Sequence, residues 1–82
     1  MGTTETIDCV KINENEYKAL VETVRTSEEI SIVYPNGREE MASGSMAIYN
    51  LISFINSSPI SYFKITIKDG NKIILLPVVF SA

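Results

Sequence analysis

The sequence predicts one small α+β domain over residues 1–82, a two-layer sandwich in which two helices cover one face of a mostly antiparallel sheet. Two segments carry apolar residues at helical spacing, and five others alternate or are rich in β-branched residues, which predicts the order β-α-β-β-α-β-β. Two helices with one apolar stripe each bury those stripes by lying together on one face of a sheet.

The first strand is predicted over Glu5 to Ile12, a segment rich in β-branched residues that ends at a polar run. Asn13 begins that run and is expected to be the N-cap of a helix, with Glu16 three residues later as in a capping box. The core-facing stripe expected for this helix consists of Tyr17, Leu20, Val21 and Val24.

The second and third strands are predicted to form a hairpin. Glu29 to Tyr34 and Arg38 to Ala42 flank the turn Pro35-Asn36-Gly37. Asn-Gly between two extended segments is a strong hairpin signal, because both residues tolerate a positive φ.

A second helix is predicted from Gly44, with Ser43 or Ser45 available as its N-cap, and it is expected to end near Asn56-Ser57-Ser58-Pro59. The helical period returns here after the two strands. The apolar stripe of this helix consists of Ile48, Leu51, Ile52 and Ile55.

The last two strands are predicted over Ile60 to Lys68 and Asn71 to Phe80, joined at Asp69-Gly70. The first of them alternates, as a strand with one buried face does. One face carries Phe63, Ile65 and Ile67, and the other carries Lys64, Thr66 and Lys68.

Composition argues against several kinds of partner. Seven basic and ten acidic residues give a net charge of −3 without a basic cluster, so nucleic-acid binding is not expected. The most apolar run, Ile73 to Phe80, is too short to span a bilayer, so no membrane partner is expected. Cys9 is the only cysteine, so no internal disulfide can form, which suits a cytoplasmic protein. Cys9 itself is expected to be a buried apolar residue.

Catalysis is not expected either. The chain has no histidine, and its single cysteine rules out a thiolate zinc site or a Cys-x-x-Cys pair. Its glycines do not form a phosphate-binding motif. The sequence therefore predicts a non-enzyme without cofactor or metal.

The order of these elements resembles the HPr family, the phosphocarrier domains of the bacterial sugar phosphotransferase system. The similarity covers Thr6 to Asp69 and is carried by the strand-helix opening and by EISIVYPNGREEMASGSMAIYNL, which looks like the family's hairpin and the start of its second helix. The resemblance implies an HPr-like sandwich that docks partners through its helix surfaces. It also implies a regulatory serine at the start of the second helix, which corresponds to Ser45 or, without a one-residue shift, to Gly44.

The sequence departs from that family at two places. The phosphate-accepting histidine of the family lies at the start of the first helix, where this chain has Asn13-Glu14-Asn15, so phosphotransfer by that route is excluded. Family members close with a third helix, whereas KIILLPVVF has the composition of a strand.

Four residues of the second helix are candidates for an interaction surface. Met46 points nearly opposite the buried stripe, and Tyr49 and Phe54 fall on its two flanks. Two interpretations remain: Tyr49 and Phe54 widen the buried face under neighbouring loops, or they form a patch with Met46 that a partner covers. Ser45, at the start of the helix, is the fourth candidate.

The C-terminal strand is the second candidate surface, because it is apolar on both faces. Either it is central and covered twice, or it is an edge strand whose second face meets another chain, and Pro77 favours an edge or a bulge. The edge interpretation predicts a homodimer. Its contacts would come from Leu75, Leu76, Val78 and Val79.

Taken together, these features predict a non-catalytic protein-interaction domain, HPr-like without phosphotransfer activity. It would bind a protein partner, or itself, through the second helix and the last strand. Small size, mild acidity and the lack of catalytic residues are also typical of an inhibitor or immunity-type protein of a phage or mobile element that binds a host protein. An accessory subunit of an enzyme would have the same sequence features.

Overall fold

A computed structural model describes residues 4–59 and 62–78 and has the predicted α+β fold, with a mixed five-stranded sheet and two helices. The elements follow the predicted order. They are β1 (Thr4–Cys9), α1 (Glu14–Thr23), β2 (Glu29–Val33), β3 (Glu39–Ser43), α2 (Gly44–Ser57), β4 (Phe63–Lys68) and β5 (Lys72–Pro77).

The strands lie in the order β1-β4-β5-β2-β3. All neighbouring pairs are antiparallel except β5 and β2, which run parallel over a short stretch in which Ile73 lies beside Ile32. The sheet is therefore mostly antiparallel, as predicted. Its one parallel pair joins the β2-β3 hairpin to the β4-β5 hairpin.

The C-terminal strand lies inside the sheet, so its interpretation as an edge strand is wrong. β5 pairs with β4 on one side and with β2 on the other, which leaves β1 and β3 as the edges. Pro77 is accommodated because it ends the strand, three residues beyond Ile74, the last residue that pairs with β2. Val79 and Phe80, predicted to continue this strand, lie outside the described residues.

Both helices cover the same face of the sheet. α2 packs on β2 and β3, and α1 packs on β1 and against α2. Alternation along the strands sends every second side chain into the layer between sheet and helices. The buried core consists of Cys9, Leu20, Val24, Ile30, Ile32, Ala47, Ile48, Leu51, Ile55, Phe63, Ile65, Ile67, Ile73 and Leu75.

The predicted stripe of α1 is only half correct. Leu20 and Val24 are buried in the core, whereas Tyr17 and Val21 are exposed to 50% and 42%. α1 covers the margin of the sheet at β1 and touches α2 from one side, so a narrower arc of its surface is buried than the spacing predicts. By contrast, the stripe of α2 is buried except for Ile52, which is half-buried.

Local signals place the helix starts and the turns correctly. The side-chain oxygen of Asn13 accepts hydrogen bonds from the backbone N–H groups of Asn15 and Glu16, at 2.8 and 3.2 Å, as an N-cap should. Gly37 has φ +87° in the first hairpin. In the second hairpin, Asp69 and Gly70 have φ +58° and +72°, the signs of a type I′ turn.

Strand ends were predicted less well. β1 ends at Cys9 rather than Ile12, and β4 begins at Phe63 rather than Ile60, which lies outside the described residues. After β1 the chain turns away from the sheet, and the Lys11 side chain reaches the carboxyl end of α2, where Nζ donates to the carbonyl oxygen of Ile55 at 3.1 Å.

Candidate functional site

A groove runs over the outer surface of the two helices, between the N-terminal turn of α1 and one side of α2. Its volume is about 510 Å³. Its lining consists of Tyr17, Ser45, Met46, Ile48, Tyr49, Ile52 and Ser53.

The groove follows from the positions of its side chains along the helices. Met46 and Tyr49 are three residues apart on α2 and therefore lie on one side of it, while Ile48 and Ile52 are four apart and lie deeper. Tyr17 comes from the first half of α1, whose start is fixed by the N-cap. Tyr49, Met46 and Tyr17 are exposed to 65%, 52% and 50%.

Among the residues that the structure describes, no charged side chain lines this groove. α2, which forms most of it, contains no Asp, Glu, Lys or Arg in any of its 14 residues. The lining offers two phenol hydroxyl groups and two serine hydroxyl groups around apolar surface, and no carboxylate or imidazole to move a proton. The groove is suited to bury the apolar surface of a partner.

The sequence-predicted candidates on α2 divide into two places. Ser45, Met46 and Tyr49 meet in the groove. Phe54 lies apart from them, with its ring centroid 4.9 Å from that of Tyr34 and 6.1 Å from that of Phe63. Phe54 thus extends the packed surface, whereas Tyr49 stays 65% exposed.

The candidates on the C-terminal strand lie on opposite faces of the sheet. Leu75 is fully buried under the helices, and Leu76 is 48% exposed on the face that no helix covers. Val78 is half-buried just beyond the strand, and its N–H donates to the carbonyl oxygen of Tyr62 at 3.0 Å. Val79 lies outside the described residues.

The groove position of Tyr17 is not predictable from its spacing with Leu20 and Val24, which assigns it to the core. One signal was present in the sequence. Tyr17 is the first residue of the stripe, close to the N-terminal end of the helix, and its hydroxyl group can form hydrogen bonds with water when it is exposed.

A second, smaller cleft lies between the β2-β3 turn and α2, with a volume of about 280 Å³. Unlike the groove, this cleft is charged, and the sequence singled out only one of its residues, Phe54. The lining consists of Tyr34, Asn36, Arg38, Glu40, Asn50, Ser53 and Phe54.

Glu40 organises the polar side of this cleft. Its Oε1 accepts a hydrogen bond from the hydroxyl of Tyr34 at 3.1 Å and another from Nδ2 of Asn50 at 3.2 Å. Burial, together with the adjacent Glu40 carboxylate, raises the pKa of Tyr34 to about 12. The Tyr34 hydroxyl therefore stays protonated at neutral pH and donates to Glu40.

Cys9 is buried at 2% exposure, as predicted. Burial raises the pKa of its thiol, and the Glu16 and Asp8 carboxylates act in the same direction. The thiol therefore packs in the core as a neutral group. Within residues 4–59 and 62–78, no three potential metal ligands cluster.

Comparisons of the chain with protein-family models, with curated proteins and with solved structures gave no match. The two helices of the described part of the chain are not long and apolar enough to cross a membrane.

Proposed function

We propose that this chain is a non-catalytic protein-interaction domain that receives its partner in the groove between α1 and α2. The observation that carries the proposal is the uncharged groove in which Tyr17, Met46 and Tyr49 are each at least half exposed. Aromatic residues and Met are enriched where proteins bind each other, and charged residues are depleted at the centres of such interfaces.

The shape and chemistry of the groove favour an amphipathic helix of the partner. A helix packed against two others inserts apolar residues spaced three and four apart between them. Ile48 and Ile52 form the floor that such residues would contact, and the two tyrosines supply rigid walls. Met46 adapts to side chains of different shape, because its unbranched thioether has several rotamers.

The domain is HPr-like without phosphotransfer, acts in the cytoplasm and needs no cofactor; these statements rest on the resemblance and on the composition described above. Under this proposal Ser45 is the point of regulation. Its side chain is exposed in the first turn of α2 and lines the groove. A phosphate there would place negative charge in an otherwise uncharged binding surface.

Self-association through the C-terminal strand is a second form of the proposal. Because β5 is an inner strand, a second copy would have to cover the open face of the sheet rather than extend it. Leu76 is the exposed apolar residue of β5 on that face, beside the half-buried Ile74.

The groove is tested with peptides selected from a random display library on the immobilised protein. We expect the selected peptides to carry apolar residues at helical spacing, and to shift the amide resonances of Tyr17, Met46 and Tyr49 in ¹⁵N-correlated spectra. The variant Tyr49→Glu should weaken their binding by at least about tenfold, since truncating a central interface residue costs about 2 kcal/mol or more.

The matched control is Val10→Lys, which places a charge at a similarly exposed apolar residue just after β1, outside the groove and the open face of β5. It should leave peptide binding unchanged. Equal binding by wild type and Tyr49→Glu, or resonance shifts confined to the open face of the sheet, would overturn the proposal.

A further inference from the structure

The charged cleft between the β2-β3 turn and α2 is separate from the groove, although Ser53 borders both. It holds one acidic and one basic side chain, Glu40 and Arg38, next to two aromatic rings. Neither charged residue has a role in the protein-binding surface proposed above.

Glu40 is held in place by two hydrogen bonds, and one of its carboxylate oxygens can still accept others. Both donors that reach it, from Tyr34 and Asn50, bind Oε1, and no described residue donates a hydrogen bond to Oε2. Because an ionised carboxylate can only accept, Asn50 must turn its Nδ2 toward Glu40. Oδ1 of Asn50 is then a second acceptor in the same cleft, and the two oxygens together suit an ammonium group.

Arg38 supplies the opposite charge on the same side of the chain. It lies directly before β3, two residues before Glu40, and both side chains line the cleft. The two side chains nevertheless do not form an ion pair, and the one ion pair among the described residues joins Arg25 to Glu28. The guanidinium of Arg38 is therefore available to a carboxylate from outside the chain.

The rings of Tyr34 and Phe54 form the apolar side of the cleft, 4.9 Å apart at an angle of 52°. An alkyl chain packs against such rings, and an ammonium group next to them gains a cation-π contribution. The volume of about 280 Å³ lies below that of most sites for drug-sized ligands, so the occupant is smaller than a nucleotide.

We propose that this cleft binds a small zwitterion of the amino-acid class, with its ammonium group at Glu40 and Asn50 and its carboxylate at Arg38. The alkyl part of the ligand would lie against Tyr34 and Phe54. The chain would then sense a free amino acid at one site while its other surface binds a protein.

The proposal is tested by titrating the full chain with leucine and with γ-aminobutyrate, whose charges are farther apart, and following the amide resonances of Arg38, Asn50 and Phe54. We expect saturable shifts from one of the two, with a Kd at or below about 1 mM. Two analogues of the compound that binds are then compared with it, one acetylated on nitrogen and one with an amidated carboxylate. Each should bind at least about tenfold more weakly than the parent compound, because each loses a charge-assisted hydrogen bond.

Two variants separate recognition from a structural role. Glu40→Gln keeps acceptor oxygen for Tyr34 and Asn50, and should abolish the preference for the zwitterion over its N-acetyl analogue. Arg38→Gln should abolish the preference over the amidated analogue. Glu22→Gln and Lys72→Gln remove the same charges at exposed sites outside the cleft and should change neither preference. Absence of saturable shifts up to about 10 mM, or equal binding of the zwitterion and both analogues, would overturn the proposal.

Discussion

Of the glycines that the structure describes, Gly44 has the least room for a side chain. A Cβ atom at this position would lie 2.3 Å from Cα of Thr26 and 2.7 Å from the carbonyl oxygen of Arg25. Both are backbone atoms of the segment that connects α1 to β2, and the N–H of Gly44 donates to the carbonyl oxygen of Glu28 at 2.9 Å. The start of α2 is therefore packed directly on that segment.

We predict that Gly44→Ala destabilises the domain by about 1–3 kcal/mol, the usual cost of overpacking, although helix propensity alone favours Ala by about 1 kcal/mol. Urea unfolding monitored by circular dichroism measures the difference. Ser45→Ala, one residue later and exposed, is the control and should stay within about 0.5 kcal/mol of wild type. A neutral or stabilising Gly44→Ala would contradict the close approach.

The raised pKa of Tyr34 makes the free energy of unfolding depend on pH in the alkaline range. Its pKa is raised from 10.0 to about 12 in the folded chain, so between these values the unfolded chain has lost a proton that the folded chain still holds. The unfolded state then binds fewer protons, and the free energy of unfolding falls as pH rises through this interval. Below pH 10 this contribution is fully present.

We predict that Tyr34→Phe makes the free energy of unfolding less dependent on pH between about 10 and 12, as measured by urea unfolding at a series of pH values. The variant also loses the hydrogen bond to Glu40 and starts from a lower stability, so the pH slope is the informative quantity. A slope equal to that of wild type would show that Tyr34 does not titrate in this way.

Among the elements, α2 depends most on the rest of the chain for its ends. It has no acidic residue in its first turn, no basic residue in its last turn, and no side-chain hydrogen bond at its N-cap. Lys11, which follows β1, supplies the missing positive charge. Its Nζ lies 3.1, 3.5 and 3.3 Å from the carbonyl oxygens of Ile55, Asn56 and Ser58.

We predict that Lys11→Met lowers the free energy of unfolding by about 0.5–1.5 kcal/mol, because the last carbonyl groups of α2 lose a charged donor. The loss should shrink in about 1 M salt, which screens the interaction of the charge with the helix end. Lys18→Met, on the exposed side of α1, is the matched control and should have little effect. Equal effects of the two variants would contradict the capping role.

At the scale of the whole molecule, the open face of the sheet decides whether copies associate. If the dimer form of the proposal holds, sedimentation equilibrium at micromolar concentration gives twice the mass of one chain, and Leu76→Lys returns it to one chain without unfolding. Leu75→Lys should instead unfold the domain, because Leu75 is fully buried and an unpaired charge there has a high desolvation cost. If the wild-type protein has the mass of one chain across that range, the dimer form of the proposal is contradicted.

Local chemistry made most elements of this fold predictable from the sequence. Apolar spacing located both helices, the Asn13 side chain specified a helix start, and the residues at Gly37 and Asp69-Gly70 specified turns. Each of these signals acts between residues a few positions apart, so it is present in the sequence before the tertiary structure is known. Met46 and Tyr49 were identified in the same way, as residues opposite or beside a buried stripe.

The tertiary structure alone decided which surfaces meet. The composition of β5 suits either an edge or a central strand, and only the structure places it between β4 and β2. Tyr17 is exposed, although its spacing assigns it to the core. The charged cleft joins Arg38 of the hairpin to Asn50 of α2. Strand order and helix rotation are set by how the whole apolar surface is buried at once, a long-range condition that spacing within one segment does not encode.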